Sequence, residues 1–170
     1  SLIDPRIFAD LNGDYPGGDG KIHATKSFTK RTIFSGWDVY RSAFPLYTLI
    51  APEIVSDTIN SQVELAEQTG KHTYDRWEIM NAYSGCMNGN PSLPMMSDAY
   101  LKGIRGYDVA KAYEYAANTS KTVGGYDPGN LSNTSEYAFH DWTLAQWAAA
   151  LGKTADEAKF SERSMAYKQL

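Results

Sequence analysis

Between residues 53 and 69 apolar positions recur at helical spacing. Val55, Ile59, Val63 and Ala66 share one stripe, Glu and Gln lie opposite, and Gly70 is a fitting stop, so the pattern predicts an amphipathic outer helix. Segment 37–50 is instead apolar almost all round (Val39, Tyr40, Ala43, Phe44, Leu46, Tyr47, Leu49, Ile50), which predicts a helix buried on most sides and kinked at Pro45. The alternation repeats. Segment 91–104 is apolar with small residues, and Asp108 then caps a helix running to about Ser120 with Val109, Tyr113 and Ala116 on its inner side. Segment 135–151 carries Tyr137, Ala138, Trp142, Leu144, Ala145, Ala148 and Leu151, and ends at Gly152. Thr154-Ala-Asp-Glu157 reads as a capping box that opens a last helix. By contrast, residues 1–35 are rich in Gly, Asp and Lys, with Asn12-Gly13 and Gly17-Gly18, and read as turns and short extended pieces.

The expected fold is therefore all-α: three α-hairpins over 36–170, preceded by an irregular or short-β lead-in (1–35) of the same domain. Each hairpin must bury its inner face on its neighbours, as in an α/α toroid or an α-solenoid. The odd helices are too unevenly spaced for the ~33- or ~34-residue solenoid repeats, which favours the toroid. The long connectors, 71–89 and 121–133, both lead into the N-terminal ends of odd helices. One rim is thus elaborated, and binding groups are usually held on such loops.

With 170 residues, 42% of them hydrophobic, the chain is long enough for one core. A net charge of −4 without any Lys/Arg cluster argues against nucleic acid. Cys86 is the lone cysteine, so no internal disulfide forms, and a buried, inert thiol is expected. No run approaches the ~20 apolar residues of a membrane span, and the first residues lack a signal-peptide core. Both ends have the look of a cut. Met95 and Met96 are expected in the core.

The stretch Cys86-Met-Asn-Gly-Asn-Pro-Ser-Leu-Pro-Met-Met-Ser-Asp-Ala-Tyr-Leu-Lys-Gly-Ile-Arg105 joins a Gly/Asn loop to a helix in a pattern more particular than composition explains. It resembles the calcium-dependent exo-α-mannosidases of glycoside hydrolase family ninety-two, which carry Cys-Met-x-Gly-x-x-x-x-Pro leading into Asp-Ala-Tyr-x-Lys-Gly-Ile. Trp37-Asp-Val-Tyr-Arg41 with Pro45-Leu-Tyr-Thr-Leu-Ile50, and Glu136-Tyr-Ala followed by Asp141-Trp142, resemble the same family in the same order. Asp10-Leu-Asn-Gly-Asp-Tyr-Pro-Gly-Gly-Asp-Gly-Lys-Ile-His23 is a looser fourth match. The resemblance implies a partial (α/α)6 toroid, inverting hydrolysis of terminal α-mannosides, calcium as cofactor, a mannose-containing glycan as substrate and a secreted or periplasmic location. It also implies that the remaining domains of a parent protein complete the site, because the family's C-terminal Gly-Asn-Asp-Asp segment, where its base resides, has no counterpart here.

Glycosidic hydrolysis generally needs two carboxyl groups flanking the bond. On the elaborated rim stand Asp38 beside Trp37, Glu78 beside Trp77, and Glu136 with His140 and Asp141. Trp beside a carboxylate suits a sugar subsite, the ring stacking while the carboxylate grips hydroxyls. The bland alternatives are a capping Asp38 paired with Arg41, an ordinary loop around Trp77, and a first-turn Glu136 favoured by the helix dipole. Glu136 matches the family's Leu-Glu-Tyr-Ala glutamate and is the foremost candidate, with Asn133 and Glu136 offering oxygens to calcium. The Asp10-Leu-Asn12-Gly-Asp14 loop is not an EF-hand, since Tyr15 and Lys21 replace the required Gly and Glu.

One departure stands out. Where the family has Asn-Glu-Thr, with its likely acid, this chain has Ala82-Tyr83-Ser84. Three readings stay open: Glu78 supplies the proton, with Tyr83 lining the sugar site; the leaving group, such as a phosphate, needs little protonation; or the chain is a non-catalytic helical module that binds a glycan or another protein.

Overall fold

The computed structural model describes residues 5–170. Its lead-in is built of short antiparallel pairs: β1 (Arg6–Ile7) with β4 (Arg31–Thr32), and β2 (Asp14–Pro16) with β3 (Ile22–Ala24). β5 (Phe34–Ser35) forms a third sheet with β6 (Trp77–Ile79) and β7 (Ala82–Tyr83), in the order β5-β6-β7. The rest is helical: α1 (Gly36–Val39), α2 (Ala43–Ile50), α3 (Pro52–Gln68), α4 (Ser92–Leu101), α5 (Val109–Thr122), α6 (Leu131–Ala150) and α7 (Thr154–Arg163), ending in a 3-10 turn over Ser164–Gln169.

Helix α3 follows its stripe, burying Val55, Ile59, Val63 and Ala66. Its first residue, Pro52, has no N–H, which costs nothing at a helix start. Asp108 caps α5, its Oδ1 accepting from Lys111 N at 3.0 Å, and Asn130 caps α6 by accepting from Asn133 N at 2.9 Å. Helices α2, α4 and α6 pack side by side, α3 lies against α2 and α5, and α7 covers α6. Trp147, fully buried, anchors the core, meeting the Tyr113 ring edge-on at 5.3 Å and Tyr100 at 5.9 Å. Met95 and Met96 are also buried there.

Four expectations need correction. The helix expected over 37–50 is two helices broken at Tyr40–Ser42, and Leu46, Leu49 and Ile50 are exposed rather than enclosed. Pro45 sits in the first turn of α2, where its missing N–H leaves no bond broken, so it does not kink the segment. Thr154 is the first residue of α7 and makes no side-chain cap, because Lys153 occupies the capping position. Cys86 is exposed on its loop, not buried.

The connector 71–89 is more structured than its reading as a loop. Met80 and Asn81 both have positive φ (50° and 64°) between the paired Ile79 and Ala82, the geometry of a type I′ hairpin turn. A bulky residue such as Met80 adopts that conformation only under compensation. The Thr32 hydroxyl accepts from Met80 N and donates to Glu78 Oε1, both at 2.6 Å, and Glu78 Oε1 accepts from Asn81 N at 2.5 Å.

Candidate active site

A cleft of about 650 Å³ runs between α2, α4 and α6, with Tyr40, Arg41, Pro94, Glu136, Phe139 and Trp142 in its wall. Its polar end is Glu136, in the second turn of α6. Four donors from two segments converge on this carboxylate. Trp37 Nε1 donates to Oε1 at 3.2 Å, and Arg41 Nη2 pairs with the same oxygen at 2.5 Å. Tyr40 OH donates to Oε2 at 3.3 Å, and His140 Nε2 faces Oε2 at 3.4 Å, longer than a made hydrogen bond. The Arg41 guanidinium also lies 4.4 Å from the Trp37 ring and 4.7 Å from the Tyr40 ring, so two aromatic faces hold it against Glu136. The break between α1 and α2 has a use: it turns Tyr40 and Arg41 together toward α6.

His140 is wholly buried. Burial, then the nearby Arg41 charge, push its pKa down to about 3, so the ring is neutral. Its Nδ1 accepts from Asn90 N at 2.7 Å, which leaves the proton on Nε2. The Tyr40 phenol, raised to about 12 by burial first and then by Glu136, stays a donor. The Cys86–Arg105 motif thereby gains a structural meaning. Asn88 Nδ2 donates to Ser132 Oγ at 2.8 Å, the Asn90 side chain donates to Val123 O, and Gly89 lies flush on His140 and Glu136. The loop is clamped onto the first half of α6, where the carboxylate stands.

The expected site residues divide. Trp37, Glu136 and His140 are brought together, but His140 has no surface from which to touch a substrate, contrary to the direct sugar contact expected of it. Asp38 is exposed beside this group and accepts from Ser35 Oγ, not from Arg41, which donates its Nε to Trp37 O at 2.8 Å. Asn133 lies one turn before Glu136 and donates to Asp127 Oδ2 at 2.7 Å. Trp77 and Tyr83 sit on the β6–β7 hairpin and are not in the wall of the cleft; Tyr83 is flanked by Lys71 and Arg76, 5.4 and 5.8 Å from its ring centre. Glu78 is buried under the hairpin turn, away from the cleft wall, and burial raises its pKa. This placement gives no support to Glu78 as the proton donor. Glu78→Gln keeps both acceptor bonds of Oε1 and is expected to change stability by less than about 1 kcal/mol in urea denaturation; a loss of several kcal/mol would show that the charge itself holds the turn.

Asp141 points the other way from Glu136, pairing with Arg163 Nε at 3.0 Å and accepting from Ser120 Oγ at 2.5 Å, a staple joining α5, α6 and α7. Burial outweighs these partners and raises its pKa from 3.8 to about 6. A carboxyl whose folded pKa is raised adds stability below its unfolded value and loses it as pH climbs through the folded one. Between pH 7.5 and pH 5 wild type should therefore gain on the order of 1 kcal/mol relative to Asp141→Asn, read from urea midpoints. No relative gain would contradict the assignment.

Arg41 and Tyr40 are the site residues that composition and spacing missed. Their only signal was the Trp37-Asp-Val-Tyr-Arg41 motif. Among the described residues no group of three or more His, Cys, Asp or Glu could hold a metal. Asn133 and Glu136 do offer hard oxygen donors from one turn of α6, but calcium takes six to eight oxygens and Arg41 already occupies Glu136. This chain would supply part of such a shell.

Comparison with known proteins identifies the family and the fold. The model of the glycosyl hydrolase family 92 catalytic domain matches residues 1–170. The family GH92 α-mannosidase BT3965 of Bacteroides thetaiotaomicron superposes with a TM-score of 0.93 at 30% identity, over 99% of this chain and 25% of that one. Its complex with mannoimidazole gives 0.91 at 29% identity, over 99% and 24%. The family GH92 inverting mannosidase BT2199 of the same organism gives 0.82 at 26%, over 99% and 26%. The search of curated proteins found no match. The chain spans about a quarter of the length of these solved relatives. It belongs to glycoside hydrolase family 92, as part of the catalytic domain.

Proposed function

We propose that the parent protein of this chain hydrolyses terminal α-mannosides of glycans with inversion at the anomeric carbon, and that the cleft at Glu136 forms one wall of the sugar site. The observation that carries this reading is the convergence of Trp37, Tyr40, Arg41 and His140 on one carboxylate at the end of the α2–α4–α6 cleft. A relative bound to mannoimidazole and another described as an inverting mannosidase support it. Trp37 and Asp38 flank the sugar, and Asn133 and Glu136 contribute oxygens to calcium, which when bound polarises sugar hydroxyls and offsets negative charge. The base, and the rest of the cation's ligands, come from outside this chain. The side-by-side α2, α4 and α6, with exposed Leu46, Leu49 and Leu101, fit an (α/α)6 toroid whose further hairpins cover those positions. A periplasmic or secreted location of the parent is part of the same proposal, and fractionation of producing cells tests it.

The full-length parent should release mannose from an aryl α-mannoside, with the β-anomer seen first by NMR. A chelator should abolish turnover and added calcium restore it. Release of the α-anomer first would refute inversion, and turnover indifferent to chelator would remove calcium. Tyr83 at the family's acid position and the burial of Glu78 favour a second reading, a helical module that binds glycans without cleaving them. Glycan affinity with no product would establish it.

A further inference from the structure

We infer that His140 is a positioning residue: it carries the constraint of the Gly89-Asn90 loop to Glu136 through a fixed imidazole N–H. The inference rests on the reading of the cleft as a mannoside site. With no exposed surface, His140 cannot meet a sugar, so any effect it has on the site passes through a neighbour.

The neighbours are defined. Asn90 N–H fills the Nδ1 lone pair at 2.7 Å, which fixes both the tautomer and the ring plane. Gly89 lies flush along the same edge, for a Cβ there would stand 2.4 Å from His140 Cε1, 2.9 Å from Nδ1 and 3.3 Å from Glu136 Cβ. The Tyr40 ring meets the imidazole edge-on at 5.2 Å. Held along one edge by Gly89 and Asn90 and against the Tyr40 ring, the imidazole aims Nε2–H at Glu136 Oε2, one helical turn away. Among the described residues Nε2 has no other partner, so a buried donor is left for this carboxylate.

The two Glu136 oxygens are therefore unequal. Oε1 is committed to Arg41 and Trp37, while Oε2 meets only the longer contacts from Tyr40 and His140. Oε2 is the less firmly held oxygen, and His140 sets its direction without occupying it fully. Losing the N–H lets the carboxylate rotate and weakens the grip on ligand, with little direct effect on any other wall of the cleft.

The test uses the full-length parent, with mannoimidazole binding measured by calorimetry well below the melting temperature of every variant. His140→Phe keeps the ring volume and removes both nitrogens; the dissociation constant should rise roughly fivefold, the lower end of what a polar contact in a buried site contributes. His140→Gln places an N–H near Nε2, whereas His140→Asn reaches only as far as Nδ1. Glutamine should therefore recover most of the affinity and asparagine little. If the Phe variant fails to fold, the ranking of Gln above Asn carries the test. A merely structural role would lower the melting temperature of all three and leave their affinities equal to wild type, which would overturn the inference. Equal weakening by Gln and Asn would overturn it too. Wild type that binds no mannoimidazole would instead refute the mannoside reading beneath it.

Discussion

Glu136→Ala in the full-length parent is expected to cut kcat/KM on an aryl α-mannoside at least a hundredfold, on the order of the loss seen when a group supporting a metal or an oriented ligand is removed. The same change should cost the fold only about 1 kcal/mol, because its strongest partner, Arg41, is 41% exposed and pairs of that kind contribute little. The two effects are separable for a structural reason. Four donors point at Glu136 from α1, the α1–α2 break and α6 itself, and of these only Tyr40 belongs to the Trp147 core that holds the helices together. A loss of activity explained wholly by unfolding, with melting curves and turnover falling together, would mean that the carboxylate is only a brace for Arg41.

Gly89→Val carries the largest expected cost to stability, about 2–5 kcal/mol, from two sources that add. The backbone sits at φ +79°, which a β-branched residue resists, and the new Cβ would lie 2.4 Å from His140 Cε1. Neither neighbour can yield cheaply, since His140 is pinned by Asn90 and Glu136 Cβ lies on the α6 backbone. Gly85→Val is the matched control: φ is +71° in the same loop, but nothing lies within 4 Å of its added Cβ, so the conformational strain of about 1–3 kcal/mol is what remains. Urea denaturation of the parent reads both. Equal costs at the two positions would show that contact with His140 does not matter.

How much of this was legible in the chain depends on how far apart the partners lie. Helices α3 and α5 were readable because their stripes and their stop and cap residues are local. The break at Tyr40–Ser42 was not, since the apolar run continues through it and only contacts with α6 make the turn favourable. Strands β6 and β7 are three and two residues long, and their turn uses Met80-Asn81 in place of a glycine pair, so neither alternation nor turn chemistry announced them. Glu78 read as a rim carboxylate because Thr32, the partner that buries it, is 46 residues away. Glu136 was legible through its motif, but Arg41, 95 residues earlier, came to the site only with the fold. The Cys86–Pro91 loop shows the converse: its pattern stood out in the sequence, and the structure supplies the reason in Gly89 and Asn90 seating His140.

The most direct test is a crystal structure of the full-length parent soaked with mannoimidazole in the presence of calcium. The account predicts the inhibitor at the polar end of the α2–α4–α6 cleft, with Glu136 within about 4 Å of either the inhibitor or its cation. Inhibitor bound elsewhere, with Glu136 still paired only to Arg41, Trp37 and Tyr40, would contradict it.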